Sequence, residues 1–274
     1  MRLPPVLPVV VFACYLASSA WLATSAYRPA EHAARGRLAA GLALGAAALA
    51  LHALLLWQNV FARPAVAFSA AETASLIGWP IAIIALASAW TRARFAGVCA
   101  VLLVVAGVLA VVTDEGRRSF ALERQSWEMA AHIILSTLAY ALVTVAAALA
   151  IALALLDRRL RRRQKLGWLR ILPSVEALES GMFTALGTGF ALLTLSLFSG
   201  FVFVENLLAQ HLVHKTVLSC LAWLVFAVLL FGRWRFGWRG RTALKWTLSG
   251  FFVLGLAYFG TKLVLEVLLE RHWG

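Results

Sequence analysis

His132-Ile-Ile-Leu-Ser-Thr-Leu-Ala-Tyr-Ala-Leu-Val-Thr-Val-Ala-Ala-Ala-Leu-Ala-Ile-Ala-Leu-Ala-Leu-Leu156 is a stretch without a single formal charge, opening on a histidine and closing against Asp157 and a run of arginines. As a helix, a run of this length exceeds the roughly 20 residues needed to cross a hydrocarbon core of about 30 Å. Its Ala, Leu and Val show no period-two alternation, so a transmembrane barrel strand is excluded. Helices satisfy every backbone polar group within the segment, which lipid demands.

Seven further runs of the same character occupy approximately residues 6-27, 38-57, 73-90, 95-112, 182-204, 216-231 and 246-268. The chain as a whole is 62% hydrophobic and only 14% charged, with a mean hydropathy of +0.86, which places it in the bilayer rather than in water. The sequence therefore predicts an all-α, polytopic bundle of about eight transmembrane helices. The longest connections, 113-131 and 157-181, are too short for an independent core, so residues 1-274 read as a single membrane domain.

Charge then orients the bundle. The first, third, fifth and seventh connections (28-37, 91-94, 157-181 and 232-245) hold 17 basic residues, against 7 in the termini and the other connections. Lys and Arg concentrate in cytoplasmic loops, so both termini are predicted outside. The same distribution accounts for the net charge of +13 without nucleic acid, through contact with anionic headgroups. The first apolar run is longer than a signal-peptide core, and reads as an uncleaved span. The outer connection 113-131, carrying Phe120, Trp127 and Met129 among charges, reads as a short interfacial helix. The inner segment 168-181, broken by Pro173, reads as lying along the cytoplasmic surface.

Little in the chain offers catalytic chemistry. There is no nucleophile elbow, phosphate loop or HExxH motif, and Cys14, Cys99 and Cys220 are single residues within spans, without a CxxC pair. The histidines are the exception. His52, His132, His211, His214 and His272 fall at or near predicted outer ends, whereas His32 is on the inner side. An interfacial histidine is commonly just solvated, but several on one face raise metal or haem ligation as a function. His211 and His214, three apart, have the spacing of a small metal site. His132, Ser136, Tyr140 and Thr144 form one helical stripe, which reads either as helix packing or as a pocket wall orienting the imidazole. Lys262 and Glu266, four apart within the last span, read either as a structural pair or as a functional intramembrane charge site.

The stretch Gly187-Thr-Gly-Phe-Ala-Leu-Leu-Thr-Leu-Ser-Leu-Phe-Ser-Gly200, followed by Ala222-Trp223, Gly237-Trp-Arg-Gly240 and Ala257-Tyr-Phe-Gly260, resembles the cytochrome c assembly proteins of the CcsA/ResC/CcmC type. The resemblance runs from about residue 60 to the C-terminus. It implies a bacterial inner-membrane protein that handles haem b at the outer face, with cytochrome c apoproteins or other assembly proteins as partners. By position it gives His132 and His272 the role of axial ligands to the haem iron, and Glu72 the place of a family glutamate. Arg124 and Arg271, with Arg63, Arg117, Arg118 and Lys215, become candidate partners for the haem propionates.

The chain also departs from that pattern. Glu205-Asn-Leu-Leu-Ala-Gln-His-Leu-Val-His-Lys215 stands where the family carries a tryptophan-rich WWD-type loop, and Phe231 and Pro64 stand where fuller haem exporters have membrane histidines. These departures argue against full haem lyase activity and point to an accessory haem-handling protein. Two readings from other classes stand beside it. One is a small-solute transporter built on Lys262, Glu266 and a span broken at Trp79-Pro80, and the other is a non-catalytic membrane scaffold.

Overall fold

The structure is a computed structural model that describes residues 6–27, 33–61, 66–68, 70–112, 120–122, 127–203 and 210–260. Eight α-helices follow in order: α1 Leu7–Tyr27, α2 Ala33–Leu56, α3 Ala70–Thr91, α4 Ala96–Val111, α5 Trp127–Arg161, α6 Val175–Phe203, α7 Gln210–Phe236 and α8 Gly240–Gly255. Among the described residues, seven are long and apolar enough to cross a membrane. The expected last span is helical through Gly260, with a π-helical turn over Leu256–Gly260, and its remainder lies outside the described residues. The chain is a multi-pass membrane protein built as an α-helical bundle.

Several boundaries differ from expectation for a local reason. α5 starts before His132 and ends beyond Leu156, and in the charged run Asp157 accepts a salt bridge from Arg161 one turn later, which supports that last turn. At about 1.5 Å per residue its 35 residues outrun the bilayer core, so both ends stand among headgroups or water. Within 113-131, expected as a short interfacial helix, the described residues depart from that expectation. Phe120–Leu122 is a short strand pairing antiparallel with Val66–Phe68, Phe68 opposite Phe120, while Trp127 and Met129 belong to the first turn of α5. Pairing two connections that the sequence reading puts outside satisfies backbone groups that an isolated short helix would leave to water. Pro173 does act as a break. It separates a 3₁₀ turn, Gly167–Ile171, from the start of α6.

The contacts gather into two compact units, the first made of residues 1–125 and 152–178 and the second of residues 126–151 and 179–274. In the first, α1 packs between α2 and α4, and α3 closes the ring against α4 and α2. The 3₁₀ turn meets the ends of α1 and α4 that also meet the turn Ala93–Phe95. Its Ile171 carbonyl lies directly against Gly97, where any Cβ would collide, so glycine is what lets the turn seat on α4. Two of the basic turns predicted as inner connections, 91-94 and 157-181, thus share one end of this unit.

In the second unit Phe226, Leu229, Met182, Leu186 and Leu254 are fully buried. Polar pins tie its helices together. Tyr140 donates to the Leu254 carbonyl at 2.7 Å, Trp223 donates to Thr194 at 2.9 Å, and Arg233 donates to Glu179 at 3.1 Å while lying 4.5 Å from the Phe183 ring centre. In lipid, where apolar contact alone drives helices together weakly, such bonds fix which faces meet.

Candidate functional site

His132 sits on the second turn of α5 and is half-buried against α6. Its Nδ1 is 2.9 Å from the Ser199 hydroxyl, and that hydroxyl in turn donates to the Ser196 carbonyl at 2.8 Å. A hydroxyl has one proton. With that proton committed to the carbonyl, Ser199 can only accept from the ring, so Nδ1 carries the N–H and Nε2 carries the lone pair. Among the described residues no hydrogen bond to Nε2 is formed. The close approach depends on Gly200: a Cβ there would stand 3.3 Å from His132 Cε1 and force the ring or helix to shift. The glycine next to the serine lets the imidazole approach α6 this closely.

The stripe below His132 separates into two kinds of residue. Ser136 bonds to the Ile133 carbonyl at 3.0 Å and Thr144 to the Tyr140 carbonyl at 2.7 Å, each satisfied on its own helix. Tyr140 instead reaches α8, and its ring meets Tyr258 edge-on with centroids 5.6 Å apart. The Lys215 ammonium lies 5.8 Å from the Tyr258 ring centre, an ordinary cation–π distance. The stripe is thus packing at Ser136 and Thr144 and a cross-helix tether at Tyr140.

Other expected residues fall elsewhere. Glu72 is in the first turn of α3, in the first unit. The backbones of His211 and His214 lie in the opening turns of α7, with their three-residue spacing helical as expected. His272, Arg271, Arg124, Arg63, Arg117, Arg118, Lys262 and Glu266 lie outside the described residues, as does the segment 204–209 within the departed loop. Among the described residues no three His, Cys, Asp or Glu side chains gather as a metal site.

His52 departs from the sequence reading. Grouped there with the histidines of the outer face, it is 0% exposed in the core of the first unit. Its Nδ1 is 3.2 Å from the Tyr15 hydroxyl of α1 and its Nε2 3.0 Å from the Ser75 hydroxyl of α3. Both ring nitrogens are engaged by hydroxyls. Tyr15 and Ser75 are the residues that sequence reasoning missed. The available signal was polar groups in three separate apolar runs, but nothing in a linear pattern says which faces meet. The expected break at Trp79-Pro80 is also absent: α3 continues through Pro80, and Trp79 Nε1 donates to the Leu49 carbonyl at 3.2 Å.

A family profile described as Cytochrome C assembly protein matches residues 40–269, most of the chain. The chain belongs to the cytochrome c assembly protein family. The match begins inside α2, earlier than the resemblance at about residue 60 suggested. Among family relatives, the inner membrane protein YpjD of Escherichia coli (strain K12) is 38% identical over 140 residues, 51% of this chain and 53% of the relative. The cytochrome c biogenesis protein CcsA of Microcystis aeruginosa is 31% identical over 104 residues, 37% of this chain and 32% of that protein. The matched stretch spans about half the length of YpjD and about a third of CcsA. No solved structure matches.

Proposed function

We propose that this family member is an inner-membrane protein of cytochrome c biogenesis, acting as one membrane domain that binds haem b at its outer face. His132 and His272 would hold the haem iron, and Arg271 would meet a propionate. The observation that carries the reading is the contact of His132 Nδ1 with the Ser199 hydroxyl at 2.9 Å, which leaves Nε2 without a hydrogen bond among the described residues. Ligating histidines typically donate their other ring N–H to a fixed acceptor, which sets the ring and raises the basicity of the ligating nitrogen. Ser199 does this for His132, and the free nitrogen is the one a metal needs. His52, with both nitrogens engaged, lacks that property.

Bound there, haem would supply an iron that accepts the Nε2 lone pair. The chain's own part is to hold the ring at a fixed tilt and to present basic side chains to carboxylates. The identity with CcsA supports cytochrome c biogenesis as the setting, and YpjD supports the inner membrane as the location. An accessory role fits the Glu205 to Lys215 loop, which has no tryptophan.

The test is an optical spectrum of the full chain purified from haem-replete cells. A bis-histidine Soret band is expected, absent from His132→Ala and from His272→Ala. Colourless wild-type protein that also fails to take up added haemin would remove the assignment.

A further inference from the structure

Where α5 leaves its apolar run, its last turns and the segment returning toward α6 enclose an open cleft of about 460 Å³ within the first unit. Leu156 and Leu160, one turn apart on α5, form one wall, and Leu166, Leu172 and Val175 stand on the returning side. Leu160 is 49% exposed, so this wall is open rather than packed. Two polar residues share the lining, Arg170 and Ser174. The Ser174 hydroxyl already accepts the Ala177 N–H at 3.3 Å, which leaves Arg170 as the charged group. Its guanidinium lies 5.9 Å from the Tyr27 ring centre and forms no hydrogen bond among the described residues. Arg159 brings a second guanidinium from the α5 side. It is three residues from Leu156 and so shares that helical face, and its Nη1 donates to the Lys165 carbonyl at 3.4 Å, beside Leu166. Asp157, the one acidic residue between Leu156 and Val175, is taken by Arg161 at 2.8 Å. The mouth of the cleft is therefore cationic.

These features select among ligands. A volume within the roughly 300–1,000 Å³ of small-molecule sites suits a molecule rather than an ion. A free inorganic anion would leave the leucine walls uncovered, and a neutral lipid would leave the two guanidinia uncompensated. The occupant that meets both is an amphiphile with an anionic head. Its source is set by the level of the cleft: Trp168, 57% exposed, and Trp90, 76% exposed, stand at this same end, and indole rings favour the headgroup region. Arginine forks match a phosphodiester, and basic residues at this level attract anionic lipid. We propose that the cleft holds one anionic phospholipid, its phosphodiester between Arg159 and Arg170 and its glycerol and upper acyl carbons on the leucine walls. This is a single stoichiometric site, distinct from the diffuse attraction of basic loops for headgroups. It is independent of the haem reading.

Native mass spectrometry of the full chain in mild detergent tests this, with phosphatidylglycerol, phosphatidylethanolamine and phosphatidylcholine added in equal amounts. One phosphatidylglycerol should be retained with a preference of about tenfold over phosphatidylcholine. The Arg159→Gln/Arg170→Gln variant should lose most of that preference, and Arg159→Lys/Arg170→Lys should keep much of it. Arg158→Gln/Arg162→Gln removes the same charge from the side of α5 turned away from Leu156 and Leu160, and should leave the preference intact. Should the first variant fail to fold, Leu160→Gln takes its place, since that side chain is half exposed and its loss from the wall should cut phosphatidylglycerol retention. Equal retention of the three lipids would overturn the proposal, as would equal loss in both arginine-to-glutamine pairs or unchanged retention in Leu160→Gln. Displacement of the lipid by millimolar inorganic phosphate or by a polyglutamate peptide would also overturn it, by making the site one for a free anion or an acidic protein.

Discussion

Two histidines of this chain, one in each unit, meet opposite fates, and the contrast separates architecture from chemistry. His52 is sealed among α1, α2 and α3 with a hydroxyl on each ring nitrogen. His132 is half-buried with one nitrogen held by Ser199 and the other uncommitted among the described residues. Burial with full satisfaction makes an imidazole a fastener, because a half-satisfied polar group in lipid is costly. Partial satisfaction, with the bound side oriented, makes it a ligand in waiting. A histidine in an apolar run therefore says little by itself. What decides is how many of its nitrogens the neighbouring helices have claimed.

Substitutions can break this contrast in graded steps. His132→Ala should have the largest effect, abolishing the Soret band of bound haem while shifting unfolding midpoints in denaturant by little. His52→Ala should do the reverse. It strands the Tyr15 and Ser75 hydroxyls at about 1–3 kcal/mol each, so denaturation in detergent should show a loss of about 3 kcal/mol with haem per folded molecule unchanged. Ser199→Ala comes next: haemin titration should show binding weakened about 10- to 100-fold, since the ring loses its orienting acceptor. Tyr15→Phe should lower stability by about 1 kcal/mol, read in the same denaturation assay. Gly200→Ala should weaken haemin binding less than Ser199→Ala does, because it displaces the ring without removing its partner. If His52→Ala abolished haem binding in fully folded protein, or His132→Ala cost as much stability as His52→Ala, the distinction would collapse.

Much of the fold was legible in the sequence because lipid imposes a coarse rule. The run from His132 to Leu156 has to be a helix, and α5 is one. Helix ends were less legible, since pairs such as Asp157 and Arg161 support a helical turn within charge that a hydropathy reading treats as its stop. The pairing of Phe120–Leu122 with Val66–Phe68 is invisible in sequence for another reason. Three residues carry no usable periodicity, and their partner lies across two membrane spans. At the site, His132 was singled out by its place at a predicted outer end and by the family resemblance, but Ser199 was not, because the serine belongs to a different helix and is one of several in α6. The first unit's Tyr15, His52 and Ser75 show the same limit. Periodicity names a face and leaves its neighbour unnamed.

The single proton of Ser199 has one more consequence. Ring N–H, hydroxyl and the Ser196 carbonyl form a chain in which every donor points the same way, ending on an acceptor of the α6 backbone. Such chains polarise cooperatively, drawing positive charge toward Nδ1 and pushing electron density onto Nε2. An electron-rich nitrogen favours the higher oxidation state of any metal it holds. The serine would therefore act as a tuning element as well as a support, lowering the midpoint potential of an iron bound at His132, and Ser199→Ala should move that potential upward.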